Sequence, residues 1–237
     1  MPAQTRSSSV LRSSLVRIAL GLRGKASLRL ALALRADYGR VRPWVEPRPH
    51  GVVARVGPDL LSFHAPIPVQ AGPSGASAAF TLEAGQRLAF CLLCGPALEP
   101  EPAAPDAQQA LEQTGAWWRD WIRQFSRPVP WPEAVRRSLL TLRALIYRPT
   151  GALVAAPTTS LPEKPGGSSN WDYRFCWLRD STFALTALLN AGFHTEAQAW
   201  RDWILGTLGA EPAKLRILYR VDGGRSPAER SIDWLRG

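Results

Sequence analysis

Chemistry concentrates in one stretch of the 237-residue chain, Gly166–Phe183, which reads GGSSNWDYRFCWLRDSTF. A Gly/Ser loop delivers Trp171, Tyr173, Phe175 and Trp177 onto the adjacent pair Arg179-Asp180. Arginine offers a planar fork of donors and aspartate a pair of acceptors. Side by side they can grip neighbouring sugar hydroxyls bidentately. Aromatic rings next to them supply stacking surface and exclude water. The same residues also admit a purely structural reading, in which Asp180 caps a helix, Arg179 covers surface and the aromatics fill a core. Spacing alone leaves both open. A second motif is weaker. Cys91 and Cys94 form C-x-x-C, but inside an apolar strand residues three apart face opposite ways. No second cysteine pair exists to complete a zinc site, and His50, His64 and His194 are the only histidines. Core packing is the expectation there.

The elements that must position Arg179 and Asp180 follow from periodicity. Val16, Ile18, Leu20 and Leu22 alternate with Arg17, Ala19, Gly21 and Arg23. After Gly24-Lys25 the alternation resumes at Leu28, Leu30, Leu32 and Leu34. Period two around a glycine-containing turn predicts a β-hairpin, and it argues against a transit peptide, which would show helical period. Further strands are expected at Gly51–Val56, Leu60–His64, Ser77–Glu83 and Gln86–Cys94, separated by Pro/Gly/Ser clusters at 43–49, 66–68 and 72–75. Such a series suggests a β-sandwich over residues 1–95. The proline-rich run GPALEPEPAAP then breaks all regular structure, and 96–105 reads as a linker.

From Asp106 the period becomes 3.6. Asp106 with Gln109 opens a helix whose stripe is Leu111, Trp118, Ile122 and Phe125. A second helix starts at Pro132 and carries Val135, Leu139, Leu142 and Ile146. A third is expected from about Asp180 to Ala191, stopped by Gly192. A fourth starts at Thr195 and carries Ala197, Trp200, Ile204 and Leu208, and a fifth begins at Ser226-Pro227. The expected architecture is a β-sandwich followed by an all-α region.

Composition limits the alternatives. Hydrophobic residues at 46% and charged residues at 20% describe a globular protein. Arginines interrupt every apolar run before it reaches the roughly 18 residues of a membrane span. Three cysteines cannot build a disulfide scaffold, so a reducing, cytoplasmic setting is expected. The net charge of +10 comes almost entirely from scattered arginines that never form a run. It reads as a solvated surface rather than a nucleic-acid footprint.

The stretches RSLLTLRALIYRPTGALVAAPTTSLPE (Arg137–Glu163) and NWDYRFCWLRDSTFALTALLNAGF (Asn170–Phe193) closely resemble glycoside hydrolase family 15, which contains glucoamylases, glucodextranases and bacterial trehalases. YRVDGGRSPAERSIDWLRG (Tyr219–Gly237) looks like that family's next block, with GGR in place of a more usual GER. LVRIALGLRG and RADYGRVRPWV resemble the N-terminal β-sandwich of the bacterial enzymes. The resemblance implies a β-sandwich joined to an (α/α)6 barrel and inverting hydrolysis of α-glucosidic bonds from the non-reducing end. It places Arg179 and Asp180 on the terminal glucose, with Trp177 and Tyr173 lining the same subsite.

By the same resemblance both catalytic glutamates lie downstream of the last block, and no position here matches either. Inverting chemistry needs two carboxylates about 6.5–9.5 Å apart, and Asp180, with the Arg179 charge beside it, is ill suited to hand over a proton. Twelve helices of about 12 residues with connections of about 6 need roughly 216 residues, whereas about 130 follow Asp106. The expectation is therefore an incomplete (α/α)6 barrel over 106–237, a sandwich clipped at its front, and no activity for this chain alone. A non-catalytic carbohydrate-binding remnant is the competing reading. The expected partner is an α-glucoside or oligosaccharide, with no nucleic acid, no membrane, no metal and no organic cofactor.

Overall fold

The computed structural model describes residues 13–159, 164–167, 170–209, 213, 215–225, 228–229 and 231–235. It divides into two compact units, Met1–Gly115 and Ala116–Gly237.

The first unit holds β1 (Ser13–Leu20), β2 (Lys25–Ala33), β3 (Trp44–Arg48), β4 (Gly51–Val56), β5 (Asp59–His64), β6 (Gln70–Gly72), β7 (Gly75–Glu83) and β8 (Arg87–Pro96). They form two antiparallel sheets, ordered β1-β8-β5-β4-β3 and β2-β7-β6. Val52, Phe63 and Phe90 from the larger sheet and Leu30, Ala76 and Phe80 from the smaller one share a single apolar core. Alternating side chains feed that core from both sheets, which is the packing of a β-sandwich.

The expected hairpin between the first two strands is not formed. Val16 of β1 lies opposite Cys91 of β8, and Leu30 of β2 lies opposite Ala78 of β7. The Gly21–Gly24 segment is held by the turn between β7 and β8 instead. Gly21 N–H donates to Gln86, Gly85 N–H donates to Gly21, and Ala84 N–H donates to Gly24. A side chain at Gly21 would collide with the Glu83 carbonyl. This crossing sends β1 and β2 into different sheets. Two further strands were not expected: β3 falls inside the 43–49 segment read as turn punctuation, and β6 lies between the 66–68 and 72–75 segments, sharing only Gly72 with the latter. β3 contains Pro47, which lacks a donor N–H, and it is tolerated because β3 is an edge strand.

Helices follow: α1 (Ala107–Arg123), α2 (Pro132–Ala144), α3 (Leu178–Asn190) and α4 (His194–Leu208). Asp106 Oδ1 accepts the Gln109 N–H at 2.7 Å, capping α1 as expected. Of the expected stripe, Phe125 is buried just past the helix end and Ile122 packs against the same core, whereas Leu111 is exposed; the buried position within α1 itself is Trp121. Leu139 is buried in α2, with Val135, Leu142 and Ile146 packed on the same core. Ile146 lies past the helix end, in a strand. The expected fifth helix begins at Ser226-Pro227, which lie outside the described residues.

The helical part is not all-α. β9 (Ile146–Tyr147) pairs with β10 (Ala152–Leu153), and β11 (Cys176–Trp177) pairs with β12 (Leu218–Tyr219). These two-residue ladders occur where buried interhelical loops must satisfy their own backbone polar groups. Ala152, Leu153 and Cys176 are almost wholly buried.

Gly192 ends α3 with φ +95°. Phe193 N–H donates to Leu188 and Gly192 N–H to Leu189, the paired bonds of a Schellman motif. Phe193 and Leu188 are both buried in one core cluster. Nothing lies within 4 Å of a Cβ built at Gly192, so the whole penalty of Gly192→Ala is backbone strain. Chemical denaturation should report a loss of about 1–2 kcal/mol, and a loss below about 0.3 kcal/mol would contradict this role.

Candidate functional site

Tyr173, Trp177, Arg179 and Asp180 occupy the approach to α3 and its first turn. The approach is fixed by backbone pairing: Ala156 N–H donates to Tyr173, Ala155 N–H to Phe175, and Leu178 N–H to Ile217. α3 begins at Leu178, two residues before the expected start. The helix is entered from Trp177, which supplies no side-chain cap. Asp180 is therefore the third residue of the helix rather than its cap, in a first turn where the helix dipole favours negative charge. Ser181, fully buried, donates to the Leu153 carbonyl at 3.3 Å and ties the same turn to β10.

The four side chains form one continuous row. The Tyr173 and Trp177 rings lie with centroids 6.0 Å apart, tilted by 57°. The Arg179 guanidinium stands 6.0 Å from the centre of the Trp177 ring, within reach of a cation–π contact. Arg179 Nη2 lies 3.3 Å from Asp180 Oδ2, with the arginine side chain 70% exposed and the aspartate side chain 33%. Asp180 Oδ2 is itself buried and makes no hydrogen bond, so the pair is an ion contact without hydrogen-bond geometry. The result is an aromatic wall ending in a donor–acceptor pair.

Arg179 is open to solvent, and a hollow of about 410 Å³ in the same unit is lined instead by Phe125, Trp131, Leu139 and Asn190, with none of the four residues on it. Residues 160–163 and 168–169, expected near this block, lie outside the described residues.

Other nucleophiles are poorly placed. Burial pushes the Cys176 thiol up to about 12, against the smaller opposing effect of a backbone hydrogen bond at Leu153, which leaves it protonated and inert at neutral pH. Cys91 and Cys94 are likewise raised by burial. Among the described residues no cluster of three His, Cys, Asp or Glu side chains could hold a metal ion, and no helix is long and apolar enough to cross a membrane.

Sequence reasoning missed a second charged cluster in this unit. Glu196 Oε1, in the first turn of α4, accepts Trp121 Nε1–H at 2.7 Å and lies 3.3 Å from Arg143 Nε. Its members come from three different helices, so no local motif announces it.

Comparison with known proteins bears on the same segment. Residues 131–237 match the model described as glycosyl hydrolases family 15. The chain is 46% identical over 136 residues to a trehalase of Mycolicibacterium smegmatis, covering 56% of this chain and 20% of that protein. It is 34% identical over 206 residues to trehalase 1 of Sulfolobus acidocaldarius, covering 85% of this chain and 35% of the relative. A trehalase of Thermoplasma volcanium is 29% identical over 198 residues, covering 84% and 32%. The chain thus spans between a fifth and about a third of the length of these relatives. Residues 131–237 thus carry the match to family 15 of the glycosyl hydrolases, and the sequence of the chain is similar to that of trehalases.

Proposed function

We propose that the row Tyr173–Trp177–Arg179–Asp180 binds the non-reducing-end glucose of an α-glucoside, with trehalose as the substrate class. The observation that carries this reading is the contact of all four side chains within the segment that matches the family. Indole and phenol faces accept the apolar C–H face of a pyranose. Asp180 accepts from two hydroxyls, and the exposed guanidinium donates to their oxygens. Asp180 Oδ2 accepts no hydrogen bond and has acceptor capacity beyond its ion contact with Arg179, which a sugar hydroxyl would fill. The trehalase names of the relatives favour trehalose over maltose-type chains.

Within this reading, residues 1–95 are the sandwich, 96–105 the connector, and 106–237 the first part of an (α/α)6 barrel working by inversion. No glutamate of this chain matches the two that such chemistry requires, so the chain alone binds without cleaving. Purified protein incubated with trehalose, maltose or soluble dextrin should release no more glucose than an Asp180→Ala control. Release clearly above that control would refute inactivity. Tryptophan fluorescence titrated with trehalose tests binding separately, and a flat titration removes the glucoside reading.

A further inference from the structure

Asp172 and Arg174 sit among the aromatic residues of the site but have no part in the reading above. The Asp172 carboxylate receives Arg174 as a fork: Oδ1 accepts Nε at 3.0 Å, and Oδ2 accepts Nη2 at 2.6 Å. Oδ1 also accepts the Arg174 backbone N–H at 2.9 Å, closing the turn. The Asp172 side chain is only 12% exposed. The main chain of Asp172 is tied to Thr159 by a β-bridge. Its carbonyl accepts Trp177 Nε1–H at 3.3 Å. The Trp177 ring held in this way is the one that neighbours Tyr173 and carries Arg179.

Resting on the glucoside reading, we propose that Asp172 and Arg174 are positioning residues. Their ion pair fixes the peptide whose carbonyl holds the Trp177 indole, and through the indole they set the aromatic wall and the Arg179 guanidinium before sugar arrives. The geometry carries this through a single carbonyl. A carboxylate shielded from water and gripped by a planar fork restricts the 172–174 turn more than a monodentate contact would. A platform already oriented loses less freedom on binding.

The test uses the full chain labelled with 5-fluorotryptophan, with the Trp177 resonance assigned by Trp177→Phe. In Arg174→Gln and Asp172→Asn the Trp177 resonance should move or broaden, while those of Trp44, in the first unit, and Trp121, in another core cluster, stay in place. Trehalose Kd should rise about tenfold. Arg174→Lys should rescue neither readout fully, because an ammonium lacks the fork. An unchanged Trp177 resonance in both variants overturns the positioning role, whether or not sugar binds. A shifted resonance in a chain that binds no trehalose upholds the positioning role and overturns only the glucoside reading. Should the variants fail to fold, the unaltered chain still decides. Its Trp177 indole N–H should exchange with solvent more slowly than those of exposed Trp44 and Trp131, and equal exchange overturns the proposal.

Discussion

Asp180→Ala should weaken trehalose binding by roughly 100-fold and leave the thermal midpoint within about 2 °C. The first figure follows from charged hydrogen bonds: each is worth about 1.5–3 kcal/mol, and 100-fold corresponds to about 2.7 kcal/mol. The second follows from the state of the carboxylate in the unliganded fold. Oδ2 is buried with no hydrogen-bond partner, and the Arg179 contact at 3.3 Å is largely open to water on the arginine side. Removing an acceptor that the fold leaves unsatisfied relieves a desolvation cost, which offsets the loss of a favourable charge in the first turn of α3, worth about 0.3–1 kcal/mol. Binding and stability therefore separate at this residue. Isothermal titration with trehalose and a thermal melt on the same preparation check both halves. Parallel loss of binding and several degrees of stability would assign Asp180 to the fold instead. Asp180→Asn keeps one acceptor and should fall between the two, at about tenfold.

The legibility of this site has a simple cause. Its four residues lie within eight positions of one another, so local sequence carries both the chemistry and the juxtaposition. What local sequence cannot carry is a partner far along the chain. β1 and β2 show this directly: alternation at Val16–Leu22 and Leu28–Leu34 identifies strands and their buried faces, yet it is silent on pairing. The hairpin expected at Gly24-Lys25 loses to hydrogen bonds with the 83–86 turn. β3 was obscured because Pro47 reads as a breaker unless the strand is known to lie at an edge. Of the stripe read on α1, Phe125 is buried and Ile122 packs beside it, but Trp121, which the stripe omits, is buried in the same core. Its ring stacks on Phe193 with centroids 4.1 Å apart, a contact decided by the distant turn between α3 and α4. The same holds for the end of the site at Asp180. A helix start at Leu178 depends on the strand pairing of Cys176–Trp177 with Leu218–Tyr219, which no local cap signal reports.

The long-range cluster around Glu196 should dominate the stability of the helical unit. Glu196→Ala removes the acceptor of the Trp121 indole N–H and leaves Arg143 without its counter-charge. Both charged side chains are nearly buried, 13% exposed for Arg143 and 10% for Glu196. Burial already pulls the Arg143 guanidinium below its ordinary value. Glu196 works against that pull and Arg148 adds to it, so deleting Glu196 leaves the desolvation unopposed. The Arg143 guanidinium also stands 5.0 Å from the Trp117 ring centre, a contact that softens the loss without replacing a carboxylate. Breaking a buried pair by removing one partner costs about 3–5 kcal/mol. With partial exposure the lower end applies, about 3 kcal/mol, or roughly 10 °C in the midpoint of a unit this size. Glu196→Gln retains an oxygen for Trp121 and should lose only about 1–1.5 kcal/mol. The decisive measurement is the double variant Glu196→Ala with Arg143→Met. Because the cost lies chiefly in the orphaned guanidinium, the second change should recover about 1–2 kcal/mol. Denaturant unfolding of the four proteins closes this cycle. If the single Ala variant loses under 0.5 kcal/mol, or the double variant is the sum of its parts, the cluster does not hold α1, α2 and α4 together.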